Sequence, residues 1–234
     1  MNIKDSVFLV TGGSAGIGKA TAKMLTDKGG KLAITGRDKS KLEKVANEIG
    51  AFPILADAAK EEDINKTYEL LLKEFRKLDC LINNAGIGGG WGEITGLDMK
   101  AFRKVYDVNV FGAAMMGSKA AQIFKKQNYG NIVNIASTAA LKGYASGTVY
   151  ASSKFALRGM TQCWQADLRK YNVRVILVNP SEVTTAFGST ERVEREEVSN
   201  KLRGEEIAHT IITTLEMDDR GFIPEVTVWA TNPF

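Results

Sequence analysis

Val7-Phe8-Leu9-Val10-Thr11-Gly12-Gly13-Ser14-Ala15-Gly16-Ile17-Gly18 is a short apolar run that ends in a glycine-rich turn and leads into an amphipathic segment over 17–27. Four consecutive apolar residues suit a strand covered on both faces, and the apolar spacing that follows suits a helix. Glycines at a strand-to-helix turn let the backbone approach a pyrophosphate, which then sits on the helix N-terminus. The spacing is Gly-x-x-x-Gly-x-Gly rather than the commoner Gly-x-Gly-x-x-Gly. No Gly-Lys-Ser/Thr follows, which argues against a nucleoside-triphosphate loop.

The same alternation continues outward from this stretch. Strands are predicted at 7–10, 31–35, 52–55, 80–82, 132–135, 173–178 and 226–229, most of them nearly continuous apolar runs. Between them lie helical patterns at 17–27, 39–49, 61–75, 99–127, 148–170 and 205–215. This βαβ order predicts an α/β fold, a single-domain Rossmann-type doubly wound parallel sheet of about seven strands with helices on both faces. With no linker rich in Pro, Gly or Ser, residues 1–234 read as one dinucleotide-binding and catalytic domain. The polar, mixed-charge stretch 181–204, containing Glu191-Arg192-Val193-Glu194-Arg195-Glu196-Glu197, reads as a substrate lid or as a plain solvated helix.

Composition narrows the classes of function. The chain has 234 residues, 44% hydrophobic and 25% charged, with a net charge of +4. Its basic residues are scattered, and the densest cluster, Lys39, Lys41 and Lys44, falls at helical spacing on a solvated face, so nucleic-acid binding is not expected. No apolar stretch reaches the ~18 residues of a membrane span, and no signal-peptide pattern opens the chain; both point to a soluble cytoplasmic protein. Cys80 and Cys163 lack metal-ligand spacing and read as buried thiols. A single histidine, His209, excludes a Ser-His-Asp triad and leaves no zinc site.

Chemistry is concentrated further along. Tyr150 and Lys154 stand at i, i+4 on a predicted helix, hence on one face. An ammonium beside a phenol favours phenolate and lowers a tyrosine pKa from about 10, so the pair can exchange a proton with an alcohol or carbonyl. The second strand ends in Thr35-Gly36-Arg37-Asp38, where a carboxylate selects the ribose hydroxyl of NAD and a cation the 2′-phosphate of NADP. Arg37 offers a planar donor fork and Ser14 a hydroxyl, so NADP is favoured over NAD; if Asp38 turns inward, NAD fits instead. The fourth strand runs into Asn83-Asn84-Ala85-Gly86.

Thr-Gly-x-x-x-Gly-x-Gly, Asn-Asn-Ala-Gly and Ser…Tyr-x-x-x-Lys, in this order and spacing, resemble the short-chain dehydrogenase/reductase family from Val7 to about Thr185. The resemblance implies a catalytic set of Asn109, Ser137, Tyr150 and Lys154. Tyr150 would be the general acid/base, Lys154 would tune it and bind the nicotinamide ribose, and Ser137 would hydrogen-bond the substrate oxygen. Asn109 would interrupt the 99–127 helix and hold a water linking Lys154 to solvent. For the cofactor, it implies that Gly12, Gly16 and Gly18 shape the turn, with Ser14 and Ile17 at the phosphates. Asp57 and Ala58 would meet the adenine, Asn84 and Gly86 the adenosine-side ribose, and Pro180, Val183 and Thr185 the nicotinamide side. Asn83 reads as a strand tether.

The implied activity is NAD(P)-dependent interconversion of a carbonyl and a secondary alcohol. Reduction of a 3-oxoacyl group on acyl-carrier protein is the alternative, with Lys125-Lys126 and Arg169-Lys170 as candidate docking pairs. A non-catalytic NADP-binding interaction protein is the different-class alternative. The expected partner is a small-molecule carbonyl or alcohol, with no nucleic acid and no membrane. A homodimer or homotetramer would form through the 99–127 and 148–170 helices, whose small residues Ala113, Ala114, Gly117, Ala120 and Ala121 either permit close approach or pack inside the chain. Departures from the family pattern are Ser181 after Pro180, a short aromatic tail ending in Trp229 to Phe234, and the loop Ile87-Gly88-Gly89-Gly90-Trp91-Gly92. Trp91 either lines the substrate pocket or packs on the sheet.

Overall fold

A computed structural model describes residues 1–185, 187, 196 and 198–233. Seven strands form one sheet in the order β3-β2-β1-β4-β5-β6-β7, and every pairing is parallel. They are β1 (Val7–Val10), β2 (Lys31–Gly36), β3 (Phe52–Leu55), β4 (Cys80–Asn83), β5 (Gly130–Ile135), β6 (Val173–Pro180) and β7 (Glu225–Val228). Every residue of β1, β4, β5 and β6 is buried, which explains their unbroken apolar runs: both sheet faces are covered.

The helices are α1 (Gly16–Asp27), α2 (Lys39–Ile49), α3 (Glu61–Phe75), α4 (Met99–Tyr106), α5 (Ala113–Gln127), α6 (Thr148–Leu168) and α7 (Gly204–Glu216). One core cluster joins Phe8, Val10 and Ile82 to Leu25, Leu42 and Ile211 of α1, α2 and α7. The other joins Leu9, Leu81 and Ile132 to Ile64, Met116 and Leu168 of α3, α5 and α6. Chain order reverses between β1 and β4, so the crevice at their C-terminal ends is where such a sheet binds ligands.

Three expectations need correction. The helical pattern over 99–127 is three segments, because a π-helical turn, Asp107–Gly112, separates α4 from α5; the interruption expected at Asn109 falls inside that turn. Cys163 is exposed rather than buried, since it faces outward on α6. The last strand ends one residue earlier than expected, leaving Trp229 beyond it. Of the small residues on α5, Ala113, Gly117 and Ala120 are buried within the chain, and a Cβ on Gly117 would lie 2.6 Å from the Trp164 ring. Of the proposed lid over 181–204, residues 186, 188–195 and 197 lie outside the described residues; its two ends meet where the Thr184 N–H donates to the Leu202 carbonyl at 2.7 Å. Among the described residues, no helix is long and apolar enough to cross a membrane.

Candidate active site

Residues at or just beyond the C-terminal ends of all seven strands surround one cavity of about 730 Å³. Gly12 follows β1, Thr35 and Gly36 end β2, Ala56 follows β3, Asn84 follows β4, Ile135 ends β5, Pro180 ends β6 and Trp229 follows β7.

At the β1 end, the glycine turn adopts left-handed backbone at Gly12 (φ 66°) and Gly16 (φ 51°), which glycine alone adopts without strain. A Cβ on Gly12 would come within 3.1 Å of Asn84 Nδ2, and one on Gly16 within 3.1 Å of the Thr185 side chain. Asn84 holds this turn from the next strand, its Nδ2 donating to the Thr11 carbonyl at 2.9 Å and the Gly12 carbonyl at 3.3 Å. Gly18 does not line the cavity; it is buried in α1, where a Cβ would collide with the Gly12 carbonyl oxygen. The N-terminus of α1 is preceded by Ala15 and has no side-chain cap, so its first amides are left for another acceptor.

Beyond the turn, Ser14, Gly36 and Arg37 line one end of the cavity with Asp57 and Ala58. Asp38 does not turn inward. It is the N-cap of α2, its side chain accepting from the Lys41 N–H at 3.0 Å. Arg37 has no hydrogen bond or ion pair among the described residues. Asp57 Oδ1 accepts from the Ala59 N–H at 3.0 Å, which fixes its carboxylate at the cavity wall. A cradle of left-handed glycines, an uncapped helix start and an unpaired guanidinium together fit the two phosphates and the adenosine end of a dinucleotide.

Ser137, Tyr150 and Lys154 line the same cavity, as do Ile17, Gly86, Pro180, Val183 and Thr185. Ser137 is the N-cap of a short 3₁₀ turn, Thr138–Ala140, and accepts from the Ala139 N–H at 3.1 Å. Tyr150 and Lys154 lie in α6, both buried, with the lysine nitrogen 5.8 Å from the phenol ring centroid. Lys154 Nζ donates to the Ile135 carbonyl at 3.0 Å. Burial lowers the ammonium pKa to about 8. Burial likewise pushes the Tyr150 phenol up to about 12, against the opposing pull of the Ser137 hydroxyl. The net direction is the opposite of the lowering expected from Lys154, because burial is the largest cause acting on the phenol.

Asn109 stands behind this cluster, inside the π-helical turn and 1% exposed. Its Oδ1 accepts from the Ile87 N–H at 2.8 Å, and its Nδ2 donates to the Ile87 carbonyl at 2.9 Å and to Ser153 Oγ at 3.1 Å. It thus pins the backbone that leaves β4 at the point where Gly86 borders Lys154. Asn83, read as a tether, is one: its Nδ2 donates to the Ala113 carbonyl and to Asn134 Oδ1 at 3.0 and 3.1 Å.

Sequence reasoning missed most of the aromatic surroundings of Tyr150. The Phe187 ring lies 5.6 Å from the phenol ring and Trp91 lies 5.5 Å from it, while Tyr144 and Trp229 line the same cavity. The tail and the glycine loop stand out in the sequence as departures from the family pattern, but nothing in local spacing assigns Tyr144 or Phe187 to the cavity.

A doubly wound parallel sheet with a phosphate-binding glycine turn at one end of its crevice, and a serine, a tyrosine and a lysine at the other, defines a nicotinamide-dependent oxidoreductase fold. Residues 6–196 match the model of the family described as short chain dehydrogenase, and the chain belongs to that family. An uncharacterized oxidoreductase of Staphylococcus saprophyticus is 32% identical over 235 residues, spanning 97% of this chain and 98% of its own. Among solved structures, an alcohol dehydrogenase of the archaeon Thermococcus sibiricus, complexed with 5-hydroxy-NADP, is 25% identical with a TM-score of 0.89 over 97% of each chain. The 3-ketoacyl-(acyl-carrier-protein) reductase of Brucella melitensis, complexed with NADH, is 26% identical with a TM-score of 0.90 over 99% of this chain and 100% of its own.

Proposed function

We propose that this protein is an NADP-dependent carbonyl reductase, working reversibly as a secondary-alcohol dehydrogenase, with Tyr150 as the general acid/base. The observation that carries this reading is the sharing of one cavity by Ser137, Tyr150 and Lys154 with the glycine turn and an unpaired Arg37. NADP is preferred over NAD because Arg37 faces the adenosine end while Asp38 is occupied as a helix cap.

Bound nicotinamide supplies the hydride to the carbonyl carbon, or removes it from the alcohol. Tyr150, with a phenol pKa near 12, holds its proton at neutral pH and is ready to give it to the carbonyl oxygen. Ser137 donates a hydrogen bond to the same oxygen as negative charge develops there. Lys154, still an ammonium at pH 7, stabilises the phenolate that Tyr150 becomes after donation. Asn109 keeps the Gly86–Ile87 backbone in place beside that ammonium. Self-association through α5 and α6 belongs to the same proposal, with Phe111 and Phe155 exposed as the surface available for it.

Reduction of a carrier-linked 3-oxoacyl group is the second reading, favoured by the likeness to the Brucella enzyme. Against it, Lys125-Lys126 and Arg169-Lys170 end or follow α5 and α6 just before β5 and β6, at the N-terminal ends of strands whose C-terminal ends carry the cavity, and Lys125 and Lys170 both lean on the Tyr171 ring. The test is Tyr150→Phe: carbonyl reduction falls about 10²–10⁴-fold while the NADPH dissociation constant holds within about twofold. Undiminished turnover in that variant would remove Tyr150 as the acid. Tight NADPH binding by the parent without reduction of any carbonyl would favour a non-catalytic binding protein.

A further inference from the structure

The half of the cavity around Tyr150 is walled by aromatic rings that the fold leaves half uncovered. Trp91 is 52% exposed, Tyr144 49%, Phe187 40% and Trp229 65%, although three of them line the cavity and Trp91 lies against the tyrosine. Rings whose task is packing are buried; a cluster of half-exposed rings at a concave mouth marks apolar surface that a ligand covers.

Trp91 is held there by its loop. Gly89 and Gly90 take left-handed backbone, with φ of 144° and 65°, and a Cβ on Gly90 would stand 2.7 Å from Val149 Cγ2. The loop therefore lies directly on the first turn of α6, one residue before Tyr150, and the Gly92 N–H donating to the Ser146 carbonyl at 3.3 Å closes it there. A side chain at position 90 would lift Trp91 away from the phenol.

Charge in this half is sparse. Among the described residues, the cations lining it are Lys154, buried and bonded to the Ile135 carbonyl, and Lys142, which is exposed. Glu182 is already paired with Lys201 at 2.7 Å. Among the described residues no arginine fork lines this half to hold a carboxylate; its polar side chains are those of the Ser137–Tyr150–Lys154 set together with Thr138, Lys142, Tyr144, Ser181, Glu182 and Thr185.

We propose that the substrate is a neutral, ring-bearing apolar ketone or its secondary alcohol, with Trp91 and Phe187 setting that specificity by packing on the ring beside Tyr150. This rests on the reaction proposed above and adds the class of substrate. A single methylene more or less in a hydrophobic pocket changes discrimination by roughly 10–200-fold, so removing a whole ring from this wall is expected to act on at least that scale.

The experiment uses the full chain with saturating NADPH and three ketones: 1-tetralone, pyruvate and dihydroxyacetone. The expected kcat/KM for 1-tetralone exceeds the other two by about 100-fold. Trp91→Ala lowers it about 10-fold, mostly through KM, with pyruvate and dihydroxyacetone little changed and NADPH binding intact. Binding of 1-tetralone to the Tyr150→Phe protein, read by quenching of tryptophan fluorescence and compared with the Tyr150→Phe, Trp91→Phe double variant, reports on the pocket without turnover. Saturable quenching that loses much of its amplitude in the double variant supports the proposal even where no ketone is reduced, in which case only the assigned reaction fails. Faster reduction of pyruvate or dihydroxyacetone, or a Trp91→Ala enzyme with unchanged KM for 1-tetralone, overturns it.

Discussion

Lys154 is an ammonium with 4% of its surface exposed, and its burial makes a prediction that does not depend on any substrate. Its pKa in the folded chain, about 8, lies below the ordinary lysine value of 10.5, with burial as the cause. Between those values the unfolded chain binds more protons than the folded one, so stability climbs as pH rises from about 8 towards 10.5. Below pH 8 the penalty is present in full, and above it the penalty is relieved by ~1.4 kcal/mol for each pH unit. Tyr150 behaves oppositely: raised from 10.0 to about 12, it keeps a proton that the unfolded chain releases in that range, so its contribution falls above pH 10. Lys154→Met removes the first effect and, by taking the cation away from the phenol, leaves the second acting only above pH 10. The stability of the parent relative to Lys154→Met should therefore rise by about 2–3 kcal/mol between pH 7 and pH 10, read by urea denaturation at each pH. A difference independent of pH would mean the ammonium is solvated. The same variant is expected to lose most carbonyl reduction, since the phenolate left on Tyr150 would then have no cation beside it. The i, i+4 pairing of these two residues was legible in the sequence. The direction in which the tyrosine pKa moves was not, because burial by distant loops decides it.

The π-helical turn between α4 and α5 is the element whose form was hidden. Val105, Val108, Ala113, Met116, Ala120 and Phe124 are all buried; their spacing is helical except for the five-residue step from Val108 to Ala113, which the wider π turn absorbs so that the apolar face stays in register on either side. The family resemblance placed an interruption at Asn109, but spacing alone did not show that it takes the form of a π turn. The turn also presses on the segment after β3: a Cβ on Gly112 would collide with the Ala58 carbonyl oxygen. Ala58 and Asp57 line the adenosine end of the cavity. Gly112→Ala must therefore separate these two segments, at a cost of about 1–3 kcal/mol as in other overpacked sites. Denaturant unfolding should register that loss. Titration with NADPH should show weaker binding as well, since the wall of the adenosine end moves with Ala58. Destabilisation with unchanged NADPH affinity would show that the turn supports the fold and not the site. The strands, by contrast, lie within a few residues of their predicted ends, since strands buried on both faces announce themselves as apolar runs bounded by polar or glycine residues.

At the scale of the whole molecule, one cavity touches the end of every strand, so the dinucleotide site and the core are completed together. This is why the glycine turn, the Asn-Asn-Ala-Gly segment and the serine–tyrosine–lysine set could be read from the sequence while the aromatic wall could not. The former are local patterns, whereas Trp91, Tyr144, Phe187 and Trp229 come from four separate loops that only the sheet order gathers. The shared sheet also implies that a ligand bound across it stabilises the entire chain. NADPH at about 100 times its dissociation constant should add ~2.7 kcal/mol to the stability of the folded state. For a chain of this size that corresponds to a rise of roughly 5–10 °C in Tm, seen as a single transition by calorimetry. Arg37→Ala tests which end of the cofactor is being selected. Arg37 lines the cavity without a partner of its own among the described residues, so its removal should leave the Tm of the free protein nearly unchanged. The shift produced by NADPH should then shrink to the size of that produced by NADH at equal concentration, with the NADH shift itself unaltered. Equal losses for both cofactors would place Arg37 at a feature they share, and an undiminished NADPH shift would mean that another group holds the 2′-phosphate.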